Sequence, residues 1–209
     1  MKYKKVLLGA TIFSVVLAGF TTPVHAALTA TSTLSQTINN GTISTDFRDA
    51  SNALVSNPTF NMNATTISTS TQTVTGTLGT ASQRLSVDNP GGAPNGFTLT
   101  LNATVPGTGT WTSGGNTYPY NGASAAAGQL TVNPSAGTWT ALTGSTTAIT
   151  KGTSATFSGS TAITLATASA TLEDIWNGYV IGIGLSQTIP AGKPAGTYTI
   201  SMTQTVAAT

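Results

Sequence analysis

Apolar and hydroxyl side chains alternate along this chain with a period of two, and the rhythm recurs from Leu28 to the C-terminus. Successive side chains on a strand point to opposite faces, so this period is that of a half-buried β-strand rather than a helix. From Leu28 to Ile38 the even positions read Leu, Ala, Ser, Leu, Gln, Ile, and every odd position is Thr or Ser. Asn39-Asn40-Gly41 then supplies a tight-turn signal, and Ile43, Thr45 and Phe47 continue the alternation, which predicts a hairpin. Further inward sets are Phe60, Met62 and Ala64; Val74 and Leu78; Leu85 and Val87; and Phe97, Leu99, Leu101 and Ala103.

Between the last two sets, Asp88 to Gly96 is a loop rich in Gly, Pro and Asn. Residues 105–159 carry dense Gly and Pro with scattered aromatics, which predicts loops and a few short strands. Helical leaning is confined to Ala123 to Gln129 and to one turn around Leu172 to Trp176. Near the C-terminus Tyr179, Ile181, Ile183 and Leu185 alternate with Val180, Gly182, Gly184 and Ser186, predicting a strand largely buried on both faces. After a Pro- and Gly-rich bend at 189–196, Tyr198, Ile200, Met202, Gln204 and Val206 form the inner row of a final strand. Strands at this spacing predict an all-β fold: one antiparallel β-sandwich of Greek-key or jelly-roll type, with a barrel as the alternative. Threonine, about one residue in five, suits it, because the β-branch favours the pleated backbone and the hydroxyl faces water without charge.

The first 26 residues have a different character. Lys2, Lys4 and Lys5 precede an uncharged run from Val6 to Phe20, and Val24 and Ala26 suit a signal peptidase. The run is shorter than the ~20 residues that span a bilayer. The expectation is a signal peptide at 1–26, a single sandwich domain at 27–209, and a secreted protein at the cell surface with no membrane insertion after cleavage. The remaining chain keeps Arg48, Arg84, Lys151 and Lys193 against Asp46, Asp49, Asp88, Glu173 and Asp174. A net charge near minus one leaves no basic footprint for nucleic acid. With no cysteine, core packing must hold the domain together, and a chain of this length buries roughly 70% of its unfolded surface.

His25, the one histidine, falls within the signal. The exported part therefore has no imidazole and no thiol for a Ser-His-Asp relay, a Cys-His pair or a histidine metal site. Glu173 and Asp174 are adjacent, which on a strand sends them to opposite faces and makes a poor acid and base pair. Asp46 and Asp49 flank Arg48 as a solvated ion pair would. The loop at Asp88-Asn89 holds one carboxylate, fewer than calcium asks for and enough for ordinary turn chemistry. A Lys-Asn crosslink would need Lys151 or Lys193 buried beside an acid. The expectation is a protein that is not an enzyme and takes no cofactor. Trp111, Tyr118 and Tyr120 cluster near Gly114-Gly115, where exposed rings suit glycan, whereas Trp139 and Trp176 suit inter-sheet filling.

Two stretches, Leu85 to Leu101 and Ile189 to Val206, resemble bacterial WxL-domain cell-surface proteins, and Gly128 to Thr138 between them looks like exported proteins of that broad kind. The resemblance implies noncovalent association with peptidoglycan or another surface glycan. Phe97-Thr98-Leu99 stands where the family's first Trp-x-Leu element would be, and Gln204-Thr205-Val206 where the second would. Phe97, Leu99, Gln204 and Val206 are thus the positions it implicates in wall or subunit contact, beside Trp111. The alternative is a pilin-like subunit forming homo-oligomers, in which residues 28–38 add a strand to a neighbour's sheet.

Overall fold

In the computed structural model the alternation becomes, among the described residues, fourteen strands, all paired antiparallel. The structure describes residues 31–209, so the expected signal peptide and the first residues of the expected strand at 28–38 lie outside the described residues. In chain order the strands are β1 Ser44–Arg48, β2 Gln72–Leu78, β3 Arg84–Pro90, β4 Phe97–Ala103, β5 Thr110–Ser113, β6 Asn116–Pro119 and β7 Leu130–Asn133. There follow β8 Thr138–Thr143, β9 Ile149–Lys151, β10 Ala155–Thr156, β11 Ile163–Ala168, β12 Ile175–Ile181, β13 Ile183–Ile189 and β14 Met202–Ala208.

Three four-stranded sheets have the orders β1-β3-β12-β8, β10-β7-β13-β2 and β14-β4-β11-β9, with β5-β6 as a separate hairpin. The first two are halves of one bent layer, since β2 runs on to β3, β7 to β8 and β12 to β13. Gly182 N–H donates to Gly79 O (2.9 Å) where two of these passages meet. The third sheet packs against that layer. Leu99, Leu101 and Leu165 meet Leu85, Val87, Val132, Val180 and Trp176 in one core, giving the expected antiparallel β-sandwich. Phe97 and Trp176 pack with ring centroids 5.9 Å apart, and Trp139 lies 6.1 Å from Trp176, as inter-sheet filling.

Several expectations need correction. The compact unit that holds the sandwich begins at Ile38, and residues 31–43 carry no strand. The hairpin through Asn39-Asn40-Gly41 is absent because Gly41 N–H is bonded to Pro90 O (2.8 Å), which carries the chain on alongside β3 instead of turning it back. Around Phe60 and Met62 there is a single bridge, Met62 to Gly76, and no strand. Residues 105–159 hold six strands, β5 to β10, more than expected, with Tyr118, Tyr120 and Phe157 buried among them. The loop after β3 starts only at Gly91, and Asn89, fully buried, closes it by accepting from Ala93 N–H (2.9 Å). The turn at Leu172 forms no helix, and Glu173 and Asp174 sit exposed ahead of β12. The helical leaning at Ala123 to Gln129 is one 3-10 turn, Ala125–Ala127.

The largest correction concerns the strand expected around Tyr179 to Leu185. Gly182 interrupts it at φ +81°, a backbone conformation that glycine adopts without strain. In β12 the buried residues are Trp176, Gly178 and Val180, at even positions; in β13 they are Ile183 and Gln187, at odd ones. One inserted residue reverses the alternation, as at a β-bulge. Tyr179 and Ile181 therefore lie on the outer, half-exposed face.

Candidate functional site

Where the bent layer and the β14 sheet part, an apolar cleft of about 940 Å³ opens between residues 57–68 on one side and 193–202 on the other. That volume is at the upper end of the ~300–1,000 Å³ found for ligand pockets. Val74 and Leu78 of β2, Leu101 of β4, Leu130 of β7, and Leu185 and Gln187 of β13 form its floor. The alternation of these strands puts the residues there, since each is an inward position facing a gap rather than a strand. Phe60 and Met62 edge one wall, with Phe60 packed on Phe47 at 5.1 Å.

The other wall is aromatic. Gly114, at φ +56°, opens the two-residue turn of the β5-β6 hairpin, a turn whose twist suits antiparallel strands. Trp111 and Tyr118 are direct partners across that hairpin and stack at 6.2 Å and 17°. Tyr198 packs on Tyr118 at 5.1 Å. Thr112 N–H donates to Thr199 O (2.9 Å) and Thr199 N–H to Thr112 O (3.0 Å), fixing the hairpin to the final segment. Burial, with the nearby Tyr198 adding to it, pushes the Tyr118 phenol up to about 12.

Gln187 is fully buried, the polar exception on an apolar floor. Its Oε1 accepts from Trp111 Nε1–H at 2.8 Å, and its Nε2 donates to Thr188 O at 2.7 Å. The amide is thus satisfied, as a buried polar group must be. The one charged side chain on the lining, Lys193, donates to Thr117 O at 2.8 Å.

Of the positions expected to make wall or subunit contacts, the structure separates two groups. Phe97 and Leu99 are fully buried in the core, because the β4 alternation turns both inward, which leaves neither side chain a face for a surface contact. Gln204 and Val206 lie half-buried on β14, opposite Leu101 and Leu99. Trp111 is half-buried in the cleft wall. Gln187, Tyr198, Phe60 and Met62 were not singled out for contact. A glutamine in the otherwise apolar alternate row Ile183, Leu185 and Ile189 was the available signal.

The charged residues lie elsewhere. Asp46 accepts two bonds from Arg48 (2.9 and 2.8 Å), and those bonds raise the guanidinium further above its ordinary value. Asp49 is not part of that pair. It accepts from the N–H groups of Ala53 and Ser51, which hold its carboxyl below the usual range. Asp88 accepts from Asn177 Nδ2 (3.1 Å), and Lys151 is exposed. Among the described residues no three metal-binding side chains gather. No family model, curated protein or solved structure matches this chain.

Proposed function

We propose that this chain is a non-enzymatic, exported cell-surface protein that works by adhesion, and that the cleft is where it grips an extended polypeptide. The observation supporting this is the cleft itself, with an apolar floor and, among the described residues, one charged side chain, Lys193, on its lining. One of its walls runs directly into β14, an edge strand. A groove beside a strand edge suits an added strand, because main-chain hydrogen bonds supply affinity and pockets for alternate side chains supply selectivity. The rings of Trp111 and Tyr118 stack on each other rather than presenting two open faces, as a platform for a polysaccharide would. Noncovalent wall association keeps the half-buried Trp111, Gln204 and Val206 as its supporting positions; the buried Phe97 and Leu99 no longer support it.

The test is to titrate the exported protein with synthetic peptides of alternating apolar and hydroxyl residues, and separately to pellet it with purified peptidoglycan. Saturable peptide binding that Leu185→Asp removes is the expected result. Failure of every peptide together with co-pelleting on peptidoglycan would overturn the proposal in favour of wall association.

A further inference from the structure

Resting on the cleft as a peptide site, we propose that its occupant is the N-terminal segment Leu28 to Ile38 of a second copy of this chain. Two features of the molecule lack partners and match one another. One is the segment, whose described part, residues 31–38, has no regular secondary structure. That described part exposes its two large apolar side chains almost completely, Leu34 at 95% and Ile38 at 87%. The alternation that predicts a strand is therefore present without a sheet. Leu34 and Ile38 are four residues apart, so on a strand they share one face about 13 Å apart. Val74 and Leu78 on the cleft floor have the same spacing on β2.

The other feature is the edge of β14, which pairs with β4 and, among the described residues, with no strand on its far side. Thr104 N–H donates to Ser201 O (2.9 Å) and Thr209 N–H to Gly96 O (3.0 Å). Bonded and non-bonded pairs alternate in an antiparallel ladder, so the odd residues of β14 are turned toward β4. The N–H and C=O groups of Met202, Gln204 and Val206 point the other way. Met202 also lines the cleft. A strand laid there meets unpaired main chain on its edge and apolar floor beneath its inward side chains.

Charge agrees with this occupant. Leu28 to Ile38 contains no charged residue, whereas a charged peptide would bring its charge onto an apolar floor, and Lys193 on the lining already donates to Thr117 O. Because segment and cleft are different surfaces, the contact is heterologous and builds a linear run of subunits unless the rotation closes a ring.

The experiment uses the exported chain and its Leu34→Asp variant. Leu34 is exposed, so the substitution leaves the sandwich intact. Sedimentation velocity of the parent is expected to show mass rising with concentration, and Leu34→Asp is expected to weaken association about 10- to 100-fold, the range carried by one buried leucine. A labelled Leu28-to-Asn39 peptide should bind the Leu34→Asp protein saturably, and a scrambled peptide that breaks the alternation should not. A parent that stays monomeric at every concentration, or oligomers that Leu34→Asp leaves unchanged, would overturn the proposal. If other alternating peptides fill the cleft and Leu28-to-Asn39 does not, the occupant is wrong and the cleft assignment stands. If no peptide binds, both fall.

Discussion

Trp111 and Gln187 make a sharp test of the cleft, because each is satisfied through the other and only one is fully buried. In Trp111→Phe the Gln187 Oε1 loses its donor at 2.8 Å, and Gln187 has no exposed surface through which water could replace it. Stranding a buried acceptor costs about 1–3 kcal/mol. For a domain of this size that corresponds to a fall in Tm of about 2–12 °C, before the smaller ring is counted. Gln187→Met behaves differently. It removes the buried amide along with its bonds, and the half-buried Trp111 can turn its N–H to water in the cleft, so the change is expected within about 1 kcal/mol of neutral.

The double variant separates the hydrogen bond from ring size. The lost area of Trp111→Phe is the same in both backgrounds and cancels in a double-mutant cycle, leaving a coupling of about 1–3 kcal/mol. Denaturant unfolding followed by circular dichroism measures all four proteins. If Trp111→Phe costs as much with Met at 187 as with Gln, so that the coupling falls below about 0.5 kcal/mol, the bond does not hold the cleft wall.

Two further outcomes follow from backbone and burial. Gly182→Ala meets no atom nearer than Ala136 O at 4.0 Å, so its cost is the positive φ alone, about 1–2 kcal/mol. Gly96→Ala has φ +97° and also drives its methyl into the Ala168 carbonyl, so its denaturant midpoint should fall further; equal midpoints would refute the steric account. For Tyr118, burial raises the folded pKa to about 12 against about 10 unfolded. The folded state thus holds the phenolic proton more tightly, and this stabilisation is complete below about pH 10 and lost as pH rises through about 12. Stability of Tyr118→Phe should stay flatter across that window, and the tyrosinate absorbance step near the top of it should vanish.

What the sequence discloses depends on how local the cause is. Phe97, Leu99, Leu101 and Ala103 announce a core strand because the alternation is complete within seven residues, and β4 is buried at all four. The WxL resemblance asked Phe97 and Leu99 to make surface contacts, and the alternation was the better guide. At residues 31–38 the same pattern forms no strand within the described chain, because alternation states that a segment can be a strand and is silent about which edge it joins. The cleft was illegible for another reason: Val74, Trp111, Gln187 and Ile200 meet only after three strands and the segment ahead of β14 have taken their places. Trp111 was still marked, by its place beside the Gly114-Gly115 turn.

Gly182 connects these misreadings. Ile181 and Ile183 flank it, so a shift of one residue leaves the apolar pattern looking continuous. Had the β12 alternation run on unbroken from the inward Val180, Ser186 and Thr188 would face the core and Gln187 would face solvent. The extra residue turns the odd positions of β13 inward, and a one-residue slip moves every following side chain to the other face. Gln187 is thereby carried into the floor of the cleft, where a buried amide must find a partner, and Trp111 on the β5-β6 hairpin is that partner. The glycine that separates the two halves of the bent layer thus also sets the polar contact between the cleft floor and its aromatic wall. Wherever that glycine keeps its place in the strand, the hairpin has a reason to stay against β13 and the cleft a reason to keep its aromatic side.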